Sequence, residues 1–452
     1  MRRILLISAN RYKEPYPVYP LGLSYLKGYI LRELPHLEVE VVDCNILSDE
    51  EIGRRIKIFR PDIIGLSLRN IDGANSLDVR DFLEHYQELV TLIRKSSTAY
   101  LVIGGAGFSI FPEVISERLM PDFSIVGEGE KAFIDLINHL EKREESASVK
   151  MDEGMGSCKI INQGSLGYLS TLDVAFEEDL VGWYWQSSGM LNLQTKRGCP
   201  YNCIYCTYPL IEGQQVRTLD PEKTVEDLLR LKRNHGINYV FFTDSVFNIG
   251  RSYNLKLASL LIESNAKINW GAYFRPSGLD NETMRLFKES GLTHIEFGTE
   301  SFCDTQLVNY GKGFSFEDVV KSSDICLDLG IYYAHFLILG GYGETKQTIA
   351  ETMVNSKRLR HTVFFPYIGM RIYPNTRLQQ IAVSEGIIEA TDDLIAPKYY
   401  ISNDFDVDMT KKLASETGKA WVFPDSPHNE MMDMLRIKRK KKGLLWEYLK
   451  RP

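Results

Sequence analysis

The sequence predicts an α/β protein in which two domains each contain a parallel sheet and a C-terminal extension follows. Two observations support this fold class. Residues 1–145 alternate short apolar runs with amphipathic stretches, and the alternation resumes with longer units over residues 191–385. Strands that alternate with helices form parallel sheets covered on both faces. Residues 146–190 are rich in Gly, Ser and charge and are predicted to be a linker, and residues 386–452 form the extension.

The first domain, residues 1–145, is predicted to be a doubly wound, Rossmann-like sheet. Its strand candidates are RILLISA, EVEVVD, DIIGLSLR, TAYLVIGG and FSIVGEG, with helical stretches such as 21–34 and 80–95 between them. Ligands of such sheets bind at the carboxyl ends of the strands. The glycines at 104–105 and the GEGE run at 127–130 fall at these ends, where the backbone must approach another group closely.

The second domain, residues 191–385, is predicted to be a partial (β/α)6 barrel, about three-quarters of a full one. Its strand candidates are NLQTKRG, YVFFTDS, INWGAYFR, HIEFGTES, YYAHFLILG and FFPYIGMRIYP. Asp220 and Pro221 suit the start of a helix and Gly236 suits its end. Ser315 and Asp318 form a predicted capping box at the start of another helix.

Composition excludes several classes of protein. A net charge of −7 gives no general attraction for nucleic acid or anionic membranes. No segment approaches the roughly 18 apolar residues of a membrane span, and we recognise no signal peptide. The seven cysteines are clustered and odd in number, which is atypical of a secreted disulfide framework, so a reducing cytoplasm is expected. The basic tail KRKKKGLLWEYLKRP is predicted to be solvated surface, with contact to a membrane or an acidic partner as the alternative.

Three of the seven cysteines lie in the run RGCPYNCIYC, as Cys199, Cys203 and Cys206. A structural zinc site needs four Cys or His ligands, and no second pair lies near this run. A [4Fe–4S] cluster binds one thiolate per iron, so three thiolates leave one iron open to a small molecule. The run follows the first barrel strand, at the face where barrel active sites lie. The spacing therefore favours a cluster with an open iron; zinc and a purely structural role are the alternatives.

This run resembles the CxxxCxΦC motif of the radical S-adenosylmethionine (SAM) superfamily, with Tyr205 at the aromatic position. The resemblance covers about residues 190–380. It implies that Cys199, Cys203 and Cys206 hold a [4Fe–4S] cluster and are the catalytic centre. It also implies that the reduced cluster cleaves SAM to methionine and a 5′-deoxyadenosyl radical, which abstracts hydrogen from a substrate.

The same resemblance implies a set of SAM-binding residues: Tyr205, Asp244, Arg275, Glu300, Gly340, Gly341 and Glu344. Tyr205 would touch the adenine, and Gly340, Gly341 and Glu344 would be exposed in a segment near it. Asp244 would meet the amino group of SAM, Arg275 the carboxylate, and Glu300 the ribose or another polar end. A polar residue at a strand end can instead cap the next helix, and this alternative applies to Asp244 and Arg275.

Residues 1–145 resemble the cobalamin (B12)-binding domain that precedes many radical SAM barrels. The resemblance rests on PLGLSYLKGYI, PDIIGLSLR, IGGAGFSIFPE and DFSIVGEGE. The DxHxxG motif, whose histidine ligates cobalt, is absent, since the second strand is followed by CNILSDE. Members of this class without the motif either bind cobalamin without a protein ligand or lack cobalamin, and both interpretations remain open here. The polar stretch SLRNIDGANS would bind the corrin amides or fill an empty pocket.

These features lead to three hypotheses about function. The first is cobalamin-dependent methylation of an unactivated carbon of a small metabolite. The second is a cobalamin-independent radical dehydration, deoxygenation, cyclisation or epimerisation of a sugar or lipid-like substrate. The third is a non-catalytic iron–sulfur electron carrier, which needs a fourth thiolate such as Cys303.

The expected partners follow from the same chemistry. Reductive cleavage of SAM needs an electron donor, and the resemblance implies a flavodoxin or ferredoxin. No alternation of basic and aromatic residues suggests RNA binding. A small-molecule substrate is therefore expected, without nucleic acid and without a membrane span.

Overall fold

The computed structural model describes residues 1–142, 151–153, 158–162, 164–170, 172–426, 435 and 441–450. The chain forms two compact units. The first comprises Met1–Gly73, Arg80–Trp183 and Thr207–Gly213, and the second comprises Ala74–Val79, Tyr184–Cys206 and Gln214–Pro452. None of the described helices is long and apolar enough to cross a membrane.

The first unit contains one seven-stranded sheet. Its strands are β1 (Arg3–Ser8), β2 (Glu38–Asp43), β3 (Ile63–Ser67), β4 (Tyr100–Gly104), β5 (Phe123–Val126), β6 (Met151–Glu153) and β7 (Lys159–Asn162). Their order is β2-β1-β3-β4-β5-β7-β6, and all pairs are parallel except β6 with β7. The order reverses between β1 and β3, which is the switch point of a doubly wound sheet. The predicted fold class of this domain is confirmed.

Helices follow most of these strands. They are α1 (Leu21–Glu33), α2 (Asp49–Phe59), α3 (Leu83–Ser96), α4 (Ala106–Ile110), α5 (Pro112–Leu119), α6 (Gly129–Lys142) and α8 (Tyr208–Ile211), and α7 (Glu178–Ser188) runs into the second unit. Ile30 of α1 and Ile137 of α6 are fully buried with Ile4 and Leu6 of β1 in one apolar core. Burial of each such side chain stabilises the fold by about 1.5–3 kcal/mol.

Two strands of this sheet lie in the segment predicted to be a linker. β7 pairs in parallel with β5, and β6 continues the sheet beyond it. Ile161 is fully buried, and the Cys158 Sγ lies 3.4 Å from the Ser124 hydroxyl. Residues 151–153 and 158–162 are therefore sheet rather than linker, because one short apolar run covers the edge of β5; residues 143–150, 154–157, 163 and 171 lie outside the described part.

The second unit contains a seven-stranded parallel sheet and two small antiparallel pairs. The strands are β8 (Leu191–Leu193), β9 (Lys196–Arg197), β10 (Arg217–Thr218), β11 (Tyr239–Phe242), β12 (Asn269–Phe274), β13 (Leu292–Glu300), β14 (Tyr332–Leu339), β15 (Val363–Ile368), β16 (Met370–Arg371), β17 (Tyr399–Tyr400) and β18 (Ala420–Trp421). The large sheet has the order β18-β15-β14-β13-β12-β11-β8, and β9–β10 and β16–β17 form the pairs.

The six predicted barrel strands are present, and β18 adds a seventh at the edge beside β15. β18 belongs to residues 386–452, so the predicted extension completes this sheet. The signal for it was missing because the strand is only two residues long. Alternation of polar and apolar residues cannot be recognised over so short a run.

The second unit contains eight helices longer than one turn among its described residues, and the two with predicted capping residues begin where predicted. They are α9 (Pro221–His235), α10 (Arg251–Glu263), α11 (Asn281–Glu289), α12 (Asp304–Asn309), α13 (Phe316–Asp328), α14 (Lys346–Ser356), α15 (Arg377–Ser384) and α16 (Val407–Glu416). Asp220 caps α9, and Gly236 ends it in the left-handed conformation. Ser315 and Asp318 form the predicted capping box of α13.

The described part of the basic tail is packed rather than solvated. Leu444, Leu445 and Trp446 are 2%, 1% and 3% exposed. The prediction of a solvated surface is therefore wrong for these residues, because the apolar LLW run outweighs the lysines before it. Residues 438–440 and 451–452 of the tail lie outside the described part.

Candidate active site

The cysteine run follows β9 and is fixed at its centre by the backbone. Cys199 is buried, the other two cysteines are half-buried, and none of the three forms a disulfide bond. The Ile204 N–H donates to the Tyr310 carbonyl (3.2 Å), and the Ile204 carbonyl accepts from the Leu378 N–H (2.8 Å). These bonds hold the loop in one shape without using any cysteine side chain.

The cysteine loop suits a cluster better than a single metal ion. Among the described residues, no three His, Cys, Asp or Glu side chains are close enough to surround one metal ion. The thiolates of a [4Fe–4S] cluster need not converge on one point, because each binds a different iron. The three free cysteines therefore fit the cluster that the sequence predicts.

Tyr205 and Glu300, predicted separately, meet in the structure. The Tyr205 hydroxyl donates to Glu300 Oε1 at 2.8 Å. Lys312, which the sequence analysis missed, donates to the same oxygen at 3.2 Å and lies 3.4 Å from the Tyr205 hydroxyl. Burial and the adjacent Glu300 carboxylate raise the pKa of Tyr205. Lys312 lies between two helices rather than at the end of a strand, where functional residues were expected. The glycines on both sides of it were the only sequence feature that marked this turn.

Glu300 itself has an unusual backbone. Its φ is +70°, in the left-handed region that non-glycine residues rarely adopt. The register between β13 and β14 shifts between Gly298 and Glu300. Strain of this kind persists where the surroundings hold it, and it concentrates at functional sites.

Arg275 lies beside the same group, at the end of β12. Its guanidinium stacks over the rings of Tyr201 (3.9 Å) and Phe314 (4.7 Å). Its Nε donates to Ser277 Oγ at 3.1 Å, and another nitrogen donates to the Lys312 carbonyl. Burial lowers its pKa, an effect that the nearby cysteines oppose.

The charges of this group fit an anionic ligand. Arg275 and Lys312 are 8% and 6% exposed, and Lys312 pairs with Glu300. Arg275 forms no ion pair with a carboxylate of the described residues. A buried cation without a counter-charge is costly, so the site fits the negative charge of cluster sulfides and of the SAM carboxylate.

Asp244 is committed to the protein interior. It is fully buried and accepts hydrogen bonds from the backbone N–H groups of Thr195 (2.6 Å) and Lys196 (3.1 Å). The Lys196 ammonium, also buried, lies 3.3 Å from its second oxygen. Through these contacts Asp244 anchors the strand that leads into the cysteine loop, and its contact with the SAM amino group stays a prediction.

Gly340, Gly341 and Glu344 are buried, which corrects the prediction that they are exposed, whereas Gly343 between them is exposed. A side chain at Gly341 would collide with the Tyr310 hydroxyl, and the Phe405 ring covers Gly340. Glu344 is 1% exposed and accepts from the Thr348 hydroxyl at 2.5 Å. Burial raises the pKa of Glu344 to about 7. The role of this segment beside the adenine stays a prediction.

Cys303, the candidate fourth thiolate, is fully buried at the start of α12. Burial raises its pKa, and the nearby Glu351 contributes to the same effect. Metals bind the thiolate form of cysteine, and the raised pKa of Cys303 opposes that form. A cluster held by Cys199, Cys203 and Cys206 stays the prediction.

The carboxyl edge of the first sheet has the predicted glycines, with different roles. Gly105 has φ +104°, and a side chain there would collide with the Leu68 carbonyl, so the group it approaches is the neighbouring strand. Gly129 has open space around it. Cys44 follows β2 where a cobalt-ligating histidine would lie, and it is buried. The edge thus offers open backbone and no imidazole after β2, which fits cobalamin bound without a ligand from that position.

Two family models match the chain. One, described as the B12 binding domain, matches residues 9–137, and the other, described as the radical SAM superfamily, matches residues 193–354. The second range contains the cysteine loop and every predicted SAM-binding residue. The cofactors that these domains take are cobalamin for the first, and a [4Fe–4S] cluster and SAM for the second.

Individual relatives match across both domains. An uncharacterized methyltransferase of Pyrococcus horikoshii is 25% identical over 383 residues, covering 82% of this chain and 79% of the relative. The anaerobic magnesium-protoporphyrin IX monomethyl ester cyclase of Rubrivivax gelatinosus is 24% identical over 351 residues, covering 74% of this chain and 61% of the cyclase.

A solved structure shares the fold over almost the whole chain. It is the radical S-adenosylmethionine methyltransferase TsrM from Kitasatospora setae, with cobalamin and a [4Fe–4S] cluster bound. The TM-score is 0.86 at 20% identity, covering 99% of this chain and 97% of that one. The chain therefore contains a B12-binding domain followed by a radical SAM domain, and it is a radical SAM enzyme.

Proposed function

We propose that this enzyme is a cobalamin-dependent radical SAM methyltransferase that acts on an unactivated carbon of a small molecule. The observation that carries the proposal is that a B12-binding domain and a radical SAM domain share one chain. Relatives named as methyltransferases match across both domains. When bound, the cluster and SAM supply reductive cleavage to a carbon radical, and cobalamin supplies a carrier for a methyl group.

The chain's own residues bind and orient these groups. Cys199, Cys203 and Cys206 hold the cluster in a loop fixed by backbone hydrogen bonds. Arg275 and Lys312 supply positive charge for the SAM carboxylate. Glu300 accepts hydrogen bonds at the same place and orients the Tyr205 ring through its hydroxyl.

The decisive experiment combines a spectrum with product analysis. The protein is purified without oxygen, reconstituted with iron and sulfide, and offered hydroxocobalamin and SAM. Methyl transfer predicts a bound corrinoid in the visible spectrum and S-adenosylhomocysteine among the products. Absence of a bound corrinoid, or turnover without S-adenosylhomocysteine, would contradict the proposal.

A second candidate is a radical cyclisation or related rearrangement without methyl transfer. The observation that favours it is the similarity to the Rubrivivax cyclase. The sugar or lipid-like dehydration, deoxygenation and epimerisation reactions belong to the same alternative. It predicts 5′-deoxyadenosine as the SAM product, without S-adenosylhomocysteine.

We further propose a flavodoxin or ferredoxin as the electron donor and the reducing cytoplasm as the compartment. None of the seven cysteines forms a disulfide bond, which suits a reducing environment. A small-molecule substrate is supported by the tryptophan bound to the related TsrM. Nucleic acid is not expected as a substrate, since the chain carries a net charge of −7.

A further inference from the structure

The described residues 441–450, here named the C-terminal segment, contribute residues 444–446 to the core of the second unit. Residues 444–446 are each at most 3% exposed. The Gly443 N–H donates to the Gly189 carbonyl at 2.7 Å, and a side chain at Gly443 would collide with the Tyr239 ring. An incidental tail on a solvated surface would not bury three large apolar side chains.

The face of the sheet that this segment covers follows from strand alternation. Successive residues of a strand point to opposite faces. Phe297 stacks on His335, whose ring lies 3.2 Å from the Ser323 hydroxyl of α13, so this face is turned to the helices. His294 and Glu296 therefore point to the opposite, inner face of the incomplete barrel.

The C-terminal segment fills this inner face near the start of β13. The Trp446 Nε1–H donates to Glu296 Oε1 at 3.0 Å, and the Trp446 ring meets the His294 ring edge-on at 5.3 Å. Glu447 Oε2 lies 3.4 Å from His294 Nε2. The 3-10 helix Trp446–Tyr448 thus supplies the hydrogen-bond donor of the buried Glu296 and a ring contact to the buried His294.

Because of these contacts, the position of the C-terminal segment determines whether water reaches the barrel interior. Glu296 is 6% exposed, and its observed hydrogen-bond donor is the Trp446 indole. If the segment leaves, water must reach Glu296, because an unsolvated carboxyl group without a partner is costly. Glu296 and Glu300 lie on the same strand, about 13 Å apart. Water and solutes that enter at Glu296 would therefore come close to the cluster site.

We propose that the C-terminal segment closes the N-terminal end of the incomplete barrel, so that solvent and small oxidants reach the cluster site from the other end only. The hydrogen bond between Trp446 and Glu296 holds the segment in this position. Their side chains act by position and take no part in the chemistry. The proposal depends on the [4Fe–4S] cluster but not on methyl transfer, so it stands or falls separately from the proposed function.

The test compares Trp446→Ala with Lys450→Ala in the reconstituted full-length protein. Lys450 lies in the same segment but is exposed, and its ammonium lies over the Tyr332 ring at 4.3 Å, so its variant is the matched control. In air-saturated buffer, the visible absorption of the cluster should bleach about tenfold faster in Trp446→Ala, because the lost contacts make opening more frequent. Excess indole, which refills the vacated space, should restore the slow rate. Equal bleaching rates in two folded variants with equal iron content would overturn the proposal.

A second measurement needs no variant and covers the case in which Trp446→Ala does not fold. Hydrogen exchange of the wild-type protein reports local opening directly. Amides of residues 444–449 should be protected as strongly as those of β13. Exchange of these amides at the rate of an unstructured peptide would overturn the proposal.

Discussion

At the scale of the residue, Glu300 is the acceptor that Tyr205 and Lys312 share beside the cysteine loop. We expect Glu300→Ala to weaken SAM binding about tenfold, because a buried hydroxyl and a buried ammonium both lose their partner. Equilibrium dialysis of SAM against the reconstituted protein measures the effect. Glu317→Ala, which breaks an exposed ion pair with Arg358, is the control. Unchanged SAM affinity in Glu300→Ala would remove Glu300 from the binding site.

Glu344 makes stability depend on pH. Burial raises its pKa from 4.5 to about 7, so the folded state keeps a proton that the unfolded state releases. Its favourable contribution is complete below pH 4.5 and is lost as pH rises to 7, at a cost of about 3 kcal/mol. Glu344→Gln should remove this decline, whereas Glu289→Gln on an exposed helix surface should keep it. Denaturant titrations at several pH values measure the slopes, and parallel slopes in all three proteins would contradict the prediction.

The role of a residue could be predicted from the sequence when its interaction partners lie close to it along the chain. The three cysteines and Tyr205 lie within one short motif, and the structure brings Tyr205 to Glu300. The buried contacts of Asp244 were not predicted, because its partners at 195 and 196 are brought to it by strand pairing, which the sequence does not display. Lys312 was missed for the same reason, since a loop between two helices delivers it.

At the scale of the element, the turn after α12 lies against the cysteine loop through Gly311. Its φ is +71°, and an added Cβ would lie 2.9 Å from the Asn202 carbonyl oxygen. Gly278 has φ +69° and nothing within 4 Å, so it is a matched control. Both Gly→Ala variants should lose about 1–2 kcal/mol through backbone strain. Only Gly311→Ala should also bind less iron on reconstitution, and equal iron content in the two variants would contradict this.

The strand that leads into the cysteine loop is anchored by a buried ion pair. Asp244→Asn leaves the Lys196 ammonium buried without its counter-charge, which should cost about 3–5 kcal/mol. Asp227→Asn breaks an exposed pair with Arg230 and should cost less than about 1 kcal/mol. Chemical denaturation of the apo protein measures both. A loss in Asp244→Asn as small as in the control would show that Lys196 finds another partner.

Helices were predictable to their ends where capping residues mark them, as at Asp220 and Gly236. Strands were predictable where the apolar run is long. β7 and β18 were not predicted. They are only four and two residues long, and each forms by pairing with a neighbouring strand at the edge of a sheet. A short segment can form a strand because it pairs with the edge of an existing sheet, and its composition alone does not indicate this.

At the scale of the whole molecule, the two units have separate sheets and separate cores. We therefore expect Cys203→Ala to lose the cluster while binding hydroxocobalamin with wild-type affinity. Cys326→Ala, at a buried helix position away from the motif, should keep both cofactors. Iron analysis and the visible spectrum of the corrinoid separate the cases. Joint loss of both cofactors in Cys203→Ala would show that the cluster supports the first unit.

The sheet edge at β18 and the packed residues 444–446 carry a consequence for how the protein is made. They follow Cys206 by roughly 210 to 240 residues. At translation speeds of about 5–20 residues per second, the ribosome releases them about 10 to 50 s after the cysteines. During that interval the nascent thiols belong to an unfinished sheet, so metallation by the assembly machinery can begin before the polypeptide is complete.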